Sequence, residues 1–159
     1  MRGDDRAVSI AVTHVLALGI TAVLVSGLLL GAGTMLDSER ERSTDDSLET
    51  IGERLAGEVA SVDRAYENDT DNVSVVASHP RSAGTGSYTV TLYENVDGED
   101  CGDLIQNQCL VLSSQTEDVE VAIPVKTETE LADEMSTSGG TIVIGVDPDE
   151  DEIVIGDGS

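Results

Sequence analysis

The chain has 159 residues, with 32 acidic and 8 basic side chains, a net charge of −24 and a pI near 4.1. A field of that sign repels nucleic acid and anionic lipid headgroups, which excludes both as binding partners. With no Trp, no Phe and three Tyr, any core must be assembled from Val, Ile, Leu and Ala.

Residues 1–7 form a short charged leader that abuts an uncharged run from Ala7 to Leu36. A bilayer-spanning helix needs about 20 apolar residues, whereas a secretory apolar core is about 7–15 residues long and ends at a small-residue cleavage site. The run is therefore read as one retained membrane helix over residues 8–36. From Val8 to Leu36 such a helix would reach roughly 44 Å, more than a hydrocarbon core of about 30 Å. Tilt in lipid would absorb the excess, and so would packing against identical helices. Gly27 and Gly31 bracket three leucines in a small-xxx-small pattern that permits close backbone approach.

The charge lies beyond that helix. Residues 1–36 carry two Arg and two Asp, residues 37–66 nine acids and four Arg, and residues 67–159 the remaining 21 acids with Arg81 and Lys126. Acid-rich, lysine-poor chains suit a concentrated salt solution, which screens the repulsion, and this points to a halophilic source.

Over residues 37–66 the pattern predicts an amphipathic extension of the helix. Leu48, Ile51, Leu55, Val59, Val62 and Tyr66 fall on one face, and Glu49, Glu53, Arg54, Glu58 and Asp63 fall between them. The stripe is expected to pack on the chain's own globular domain rather than on a coiled-coil partner. A break is expected near Asp37–Asp46, where the apolar period lapses, and Gly52 and Gly57 count as soft points.

Residues 67–159 read as one acidic β-rich domain. Val73–Val75 opens a strand, and Tyr88, Val90 and Leu92 alternate with polar positions. Leu110–Leu112 follows, then Val119 to Val125, where Pro124 implies a sheet edge. Residues 127–140 read as a polar connection. Thr141–Val146 and Ile153–Ile155 form a hairpin across the acidic stretch 147–152. Six short strands without an intervening helix predict a single antiparallel sheet covered by the long helix, an α+β fold.

Cys101 and Cys109 are the only cysteines, and they lie in a turn-rich connection between two strands. A disulfide there would contribute about 2–3 kcal/mol and belongs outside the cytosol. The alternative is a pair of unbonded thiols; a metal site would need more ligands. Asn68 and Asn72 head two acceptor sequons in a polar stretch. Cysteines and sequons together favour a single-pass orientation with the N-terminus cytoplasmic and the C-terminal domain extracellular.

No catalytic set, cofactor motif or metal site is legible, so an enzyme is not expected. His14 is read as a polar residue near the end of the membrane helix rather than a proton-linked site. His79 beside Pro80 has no recognisable catalytic partners. Gly84-Thr85-Gly86 is turn chemistry. The Asp147/Asp149/Asp151 spacing imitates a calcium loop but lacks its central Gly and terminal Glu.

The leader ending Asp5-Arg6-Ala7, the apolar helix opened by Val8-Ser9, the amphipathic extension and the β-rich domain resemble haloarchaeal type IV pilin-like membrane proteins of unassigned function. The resemblance implies a class III signal cut by a prepilin peptidase between Ala7 and Val8. It also implies a helix that forms a filament core, with other pilin-like subunits and an assembly platform as partners. Ser9-Ile10-Ala11 stands where the common pattern has Ser-Pro and a following Gly, which favours a minor or pilin-like component over a major subunit. The alternative is a single-pass anchored extracellular binding or accessory module that never polymerises.

Overall fold

The computed structural model describes residues 4–67, 73–94, 101–102 and 108–158, with side chains from residue 12 onward. Two compact units divide the chain, Met1–Glu39 and Arg40–Ser159.

Helix α1 spans Asp4–Glu67. No proline occurs before Pro80, so the ladder of backbone hydrogen bonds is nowhere denied a donor. The helix is assigned without interruption through Asp37–Asp46, which corrects the expected break there. A lapse in apolar period removes a packing face but leaves good helix formers such as Glu39, Arg40, Glu41 and Arg42 in place. Arg64 sits in the last turn, where a cation opposes the negative end of the helix dipole.

In the first unit, every Val, Leu, Ile and Met from Val12 to Leu36 is exposed. The hydroxyls in this stretch are turned inward along the helix. Thr21 donates to Ala17 O at 2.8 Å, Ser26 to Ala22 O at 2.8 Å and Thr34 to Gly31 O at 3.0 Å. Back-bonding of this kind satisfies these three hydroxyls on an otherwise apolar surface.

The second unit holds the remainder of α1 and eight described strands. They are β1 Ser74–Ser78, β2 Tyr88–Tyr93, β3 Gln108–Ser114, β4 Glu120–Val125, β5 Glu130–Leu131, β6 Ser136–Ser138, β7 Thr141–Asp147 and β8 Glu152–Asp157. These strands form two four-stranded sheets, in the orders β1-β7-β8-β5 and β4-β3-β2-β6. All pairings are antiparallel except β5 with β8. The single six-stranded sheet of the sequence reading is thus corrected to two sheets. The connection 127–140 is likewise corrected, because it contributes β5 and β6. Both are too short to show an alternation of their own, and only their partners β8 and β2 make them strands.

Between helix and sheets lies one core of aliphatic residues. Leu48, Ile51, Leu55, Val59 and Val62 of α1 are buried, and Tyr66 packs at the margin. They meet Tyr88, Val90 and Leu92 of β2, Leu110 and Leu112 of β3, Ile123 and Val125 of β4, and the inward residues of β7 and β8. Tyr88 is the largest fully buried side chain. Pro124 lies on β4 at the sheet edge, where its missing N–H costs no ladder bond.

Two α1 residues differ from their sequence reading. Asp63, placed on the polar face, is buried, and its carboxylate accepts from the backbone N–H of Glu128 at 3.1 Å and of Thr129 at 3.0 Å. It caps the segment leaving β4, so the charge is bonded rather than solvated. Gly52, counted as a soft point, is buried where the helix approaches the second sheet. A Cβ there would stand 2.6 Å from Ile123 Cγ1 and 2.9 Å from Leu112 Cδ1.

Candidate functional site

Three places in the chain carry unusual chemistry. The first is the apolar surface of α1 from Val12 to Leu36, whose most apolar stretch has a mean hydropathy of 2.4 and none of it buried. Each buried Val, Leu, Ile or Met gains about 1.5–3 kcal/mol over its exposed state. A water-exposed surface of this extent is unfavourable, and its length and composition make it a candidate membrane-spanning helix. Gly27 and Gly31 lie one turn apart within it, and no described atom comes within 4 Å of a Cβ built at either. Ala7 and Val8 fall inside the helical span, with no break in the backbone between them. His14 is exposed on the same segment.

The second place is a cleft of about 420 Å³ between α1 and the 80–82 segment, lined by Asp46, Ser47, Thr50, Ile51, Arg54, Pro80 and Ser82. Its helical hydroxyls are committed elsewhere: Ser47 donates to Ser43 O at 2.7 Å and Thr50 to Asp46 O at 2.9 Å. Nearby, the buried His79 places Nε2 at 2.9 Å from Glu58 Oε2, so this imidazole is tied to the helix. Thr44 Oγ1 and His79 Nδ1 are buried without a hydrogen-bond partner. Thr44 packs directly against Gly84, which has φ +59° and would bring any Cβ onto the Thr44 hydroxyl. The Gly84-Thr85-Gly86 stretch is thereby a tight turn closed between Ala83 and Gly86.

The third place is the outer face of the second sheet. Cys101 and Cys109 are joined by a disulfide with Cα atoms 6.1 Å apart, and both are buried. With Val111 they form a small second cluster, against which Tyr93 and Ala122 pack. Strand β3 is therefore buried on both faces, Leu110 and Leu112 inward, Cys109 and Val111 outward.

The sequence-predicted residues are not gathered into one site. Gly27 and Gly31 belong to the apolar helix, the cysteines to the outer face of the second sheet. Asn68 and Asn72 lie outside the described residues. Among the described residues, no group of three or more His, Cys, Asp or Glu is placed to hold a metal ion. The acidic turn 147–152 is a hairpin tip in which Asp149 N donates to Asp147 Oδ1 at 2.9 Å and the Tyr66 hydroxyl reaches Asp151. Sequence reasoning missed the His79–Glu58 pair and the Asp63 cap, since both join positions far apart in the chain and neither has a local signature.

Comparison with known families matches residues 3–156 to a family of unknown function, DUF7266. The chain belongs to that family. No curated protein and no solved structure matches it. The match covers the apolar helix and the β unit alike, so both are features of this family's architecture as one chain.

Proposed function

We propose that this DUF7266 protein is a pilin-like subunit, structural or minor, of a type IV pilus-like surface assembly, anchored in the membrane by α1 before it assembles. The observation that carries the reading is the single helix Asp4–Glu67, which is apolar and exposed over its first half and supplies the core stripe of a β-rich unit over its second. The disulfide supports an extracellular β unit, since such bonds persist in oxidising surroundings. In this reading a prepilin peptidase cuts between Ala7 and Val8 on the cytoplasmic side, and the retained helix meets other pilin-like subunits at an assembly platform.

N-terminal sequencing of the protein purified from native membranes tests the processing step. A mature chain starting at Val8 is expected. An intact leader in cells with active prepilin peptidase would instead support an anchored, non-polymerising module.

A further inference from the structure

The β-rich unit, Arg40–Ser159, holds a single sulfur in the reduced state. Cys101 and Cys109 are joined to each other, which leaves no free thiol. Of the three methionines, Met1 lies outside the described residues and Met35 is exposed on the apolar surface of α1. Met135 is the third, and its thioether is the soft nucleophile that remains in this unit.

Met135 stands where the two sheets meet. It directly precedes β6, and its carbonyl accepts from Leu92 N at 2.8 Å, which extends the β2–β6 ladder by one residue. The side chain reaches the other sheet: Ile155 N of β8 donates to Met135 Sδ at 3.4 Å. On that edge β5 pairs with β8 only as far as Ile153, whose carbonyl takes Ala132 N at 2.9 Å. The next N–H on the same edge belongs to Ile155, and the sulfur occupies the place where a longer β5 would have supplied an oxygen. Two residues on, Asp157 Oδ1 accepts from Thr137 Oγ1 at 3.0 Å, so a side chain of β6 completes the edge. Glu134 brings the chain to this position at φ +55°, a conformation uncommon for a residue other than glycine. The Met135 side chain is half-buried against the core, so part of it is open to small solutes.

We propose that Met135 is an oxidation site, and that its conversion to the sulfoxide by a peroxide-class oxidant loosens the joint between the two sheets. In this step a sulfur lone pair attacks one peroxide oxygen, an S–O bond forms and the O–O bond breaks. The second oxygen leaves and takes up the proton as water, so the sulfur is oxidised by two electrons and the peroxide is reduced by two. Before the step, the sulfur is a weak acceptor; afterwards it is electron-poor and the acceptor is the new oxygen. With that oxygen on the exposed side, the Ile155 N–H faces a sulfur that no longer accepts. Turning the oxygen toward the amide would instead press a polar S–O bond into a gap that the sulfur already closes to 3.4 Å. Either arrangement weakens the link between β6 and β8. The inference stands apart from the pilin reading, because it requires neither a membrane nor assembly.

The test treats the full chain in detergent with hydrogen peroxide and follows amide exchange residue by residue by NMR, with free methionine added as an internal gauge of oxidation. Peptide mapping should find one added oxygen on Met135. Exchange of the Ile155 amide should then rise about tenfold or more, while amides of the β1–β7 ladder keep their rates. Met135→Leu preserves most of the bulk but has no sulfur to oxidise. In M135L the Ile155 amide should exchange quickly from the start and gain nothing from peroxide, although Met1 and Met35 are still present. Met135 left unmodified while free methionine is consumed would overturn the inference. So would a sulfoxide at Met135 with Ile155 exchange unchanged, an equal rise in the β1–β7 ladder, or the same peroxide response in M135L.

Discussion

Tyr88 shows how much one residue organises. Its ring is fully buried and lies on Gly139, where a Cβ would come within 2.4 Å, and its hydroxyl donates to Pro80 O at 2.8 Å. The phenol thereby ties β2 to the segment that follows β1. Burial pushes its pKa above the ordinary value of 10.0, and a backbone hydrogen bond from Gly140 opposes the shift in part. A group whose folded pKa is raised contributes stability that is complete below the unfolded value and is lost as pH climbs through the folded one. Tyr88 therefore stabilises the fold in full up to about pH 10 and progressively less above it. Tyr88→Phe should cost about 1 kcal/mol at neutral pH and should flatten the alkaline loss. Denaturant midpoints of the full chain in detergent, compared at neutral and strongly alkaline pH, measure both effects. A second contrast concerns two glycines of α1. Gly52→Ala forces a methyl onto Ile123 and Leu112 and should destabilise by about 1–3 kcal/mol. Gly57→Ala meets no described atom within 4 Å and should stabilise by about 0.4–1 kcal/mol. Opposite shifts in thermal midpoint are the expected readout.

At the scale of elements, α1 was the most legible part of the chain. Its apolar stripe from Leu48 to Val62 is buried at each position that the spacing indicated. Strand β2 alternates as read, and the β7–β8 hairpin closes around Asp147 and Glu152. Illegible parts share a cause, which is that partners rather than local pattern decide them. Asp63 looks solvated in a helical wheel, and only the distant N–H groups of Glu128 and Thr129 make its burial favourable. Strands β5 and β6 exist through β8 and β2, and the division into two sheets depends on which strands pair across long loops. Strand β3 illustrates the same point. Its outward residues Cys109 and Val111 are buried because Cys101 is bonded back over them. Replacing both cysteines by Ala should cost about 2–3 kcal/mol from the lost loop constraint. It should also increase binding of a hydrophobic dye if Val111 and Ala122 lose their cover, and chemical denaturation with dye fluorescence follows the two effects together.

For the whole molecule, a membrane-type helix and a β unit belong to one chain and one family match, residues 3–156. The α+β class was readable from the change of period after Tyr66, whereas the His79–Glu58 pair was not, because it joins positions far apart in the chain. The proposed pilin-like assembly would place the burden on the exposed apolar half of α1, where a Cβ at Gly27 or Gly31 meets open space. The most direct measurement is photo-crosslinking from Leu28 in native membranes, comparing wild type with the Gly27→Leu/Gly31→Leu double variant at equal abundance. Leucine raises hydrophobicity, so membrane insertion should persist while crosslinks to pilin-like subunits fall sharply. Unchanged crosslinks in the double variant, or none in the wild type, would contradict assembly through this helix.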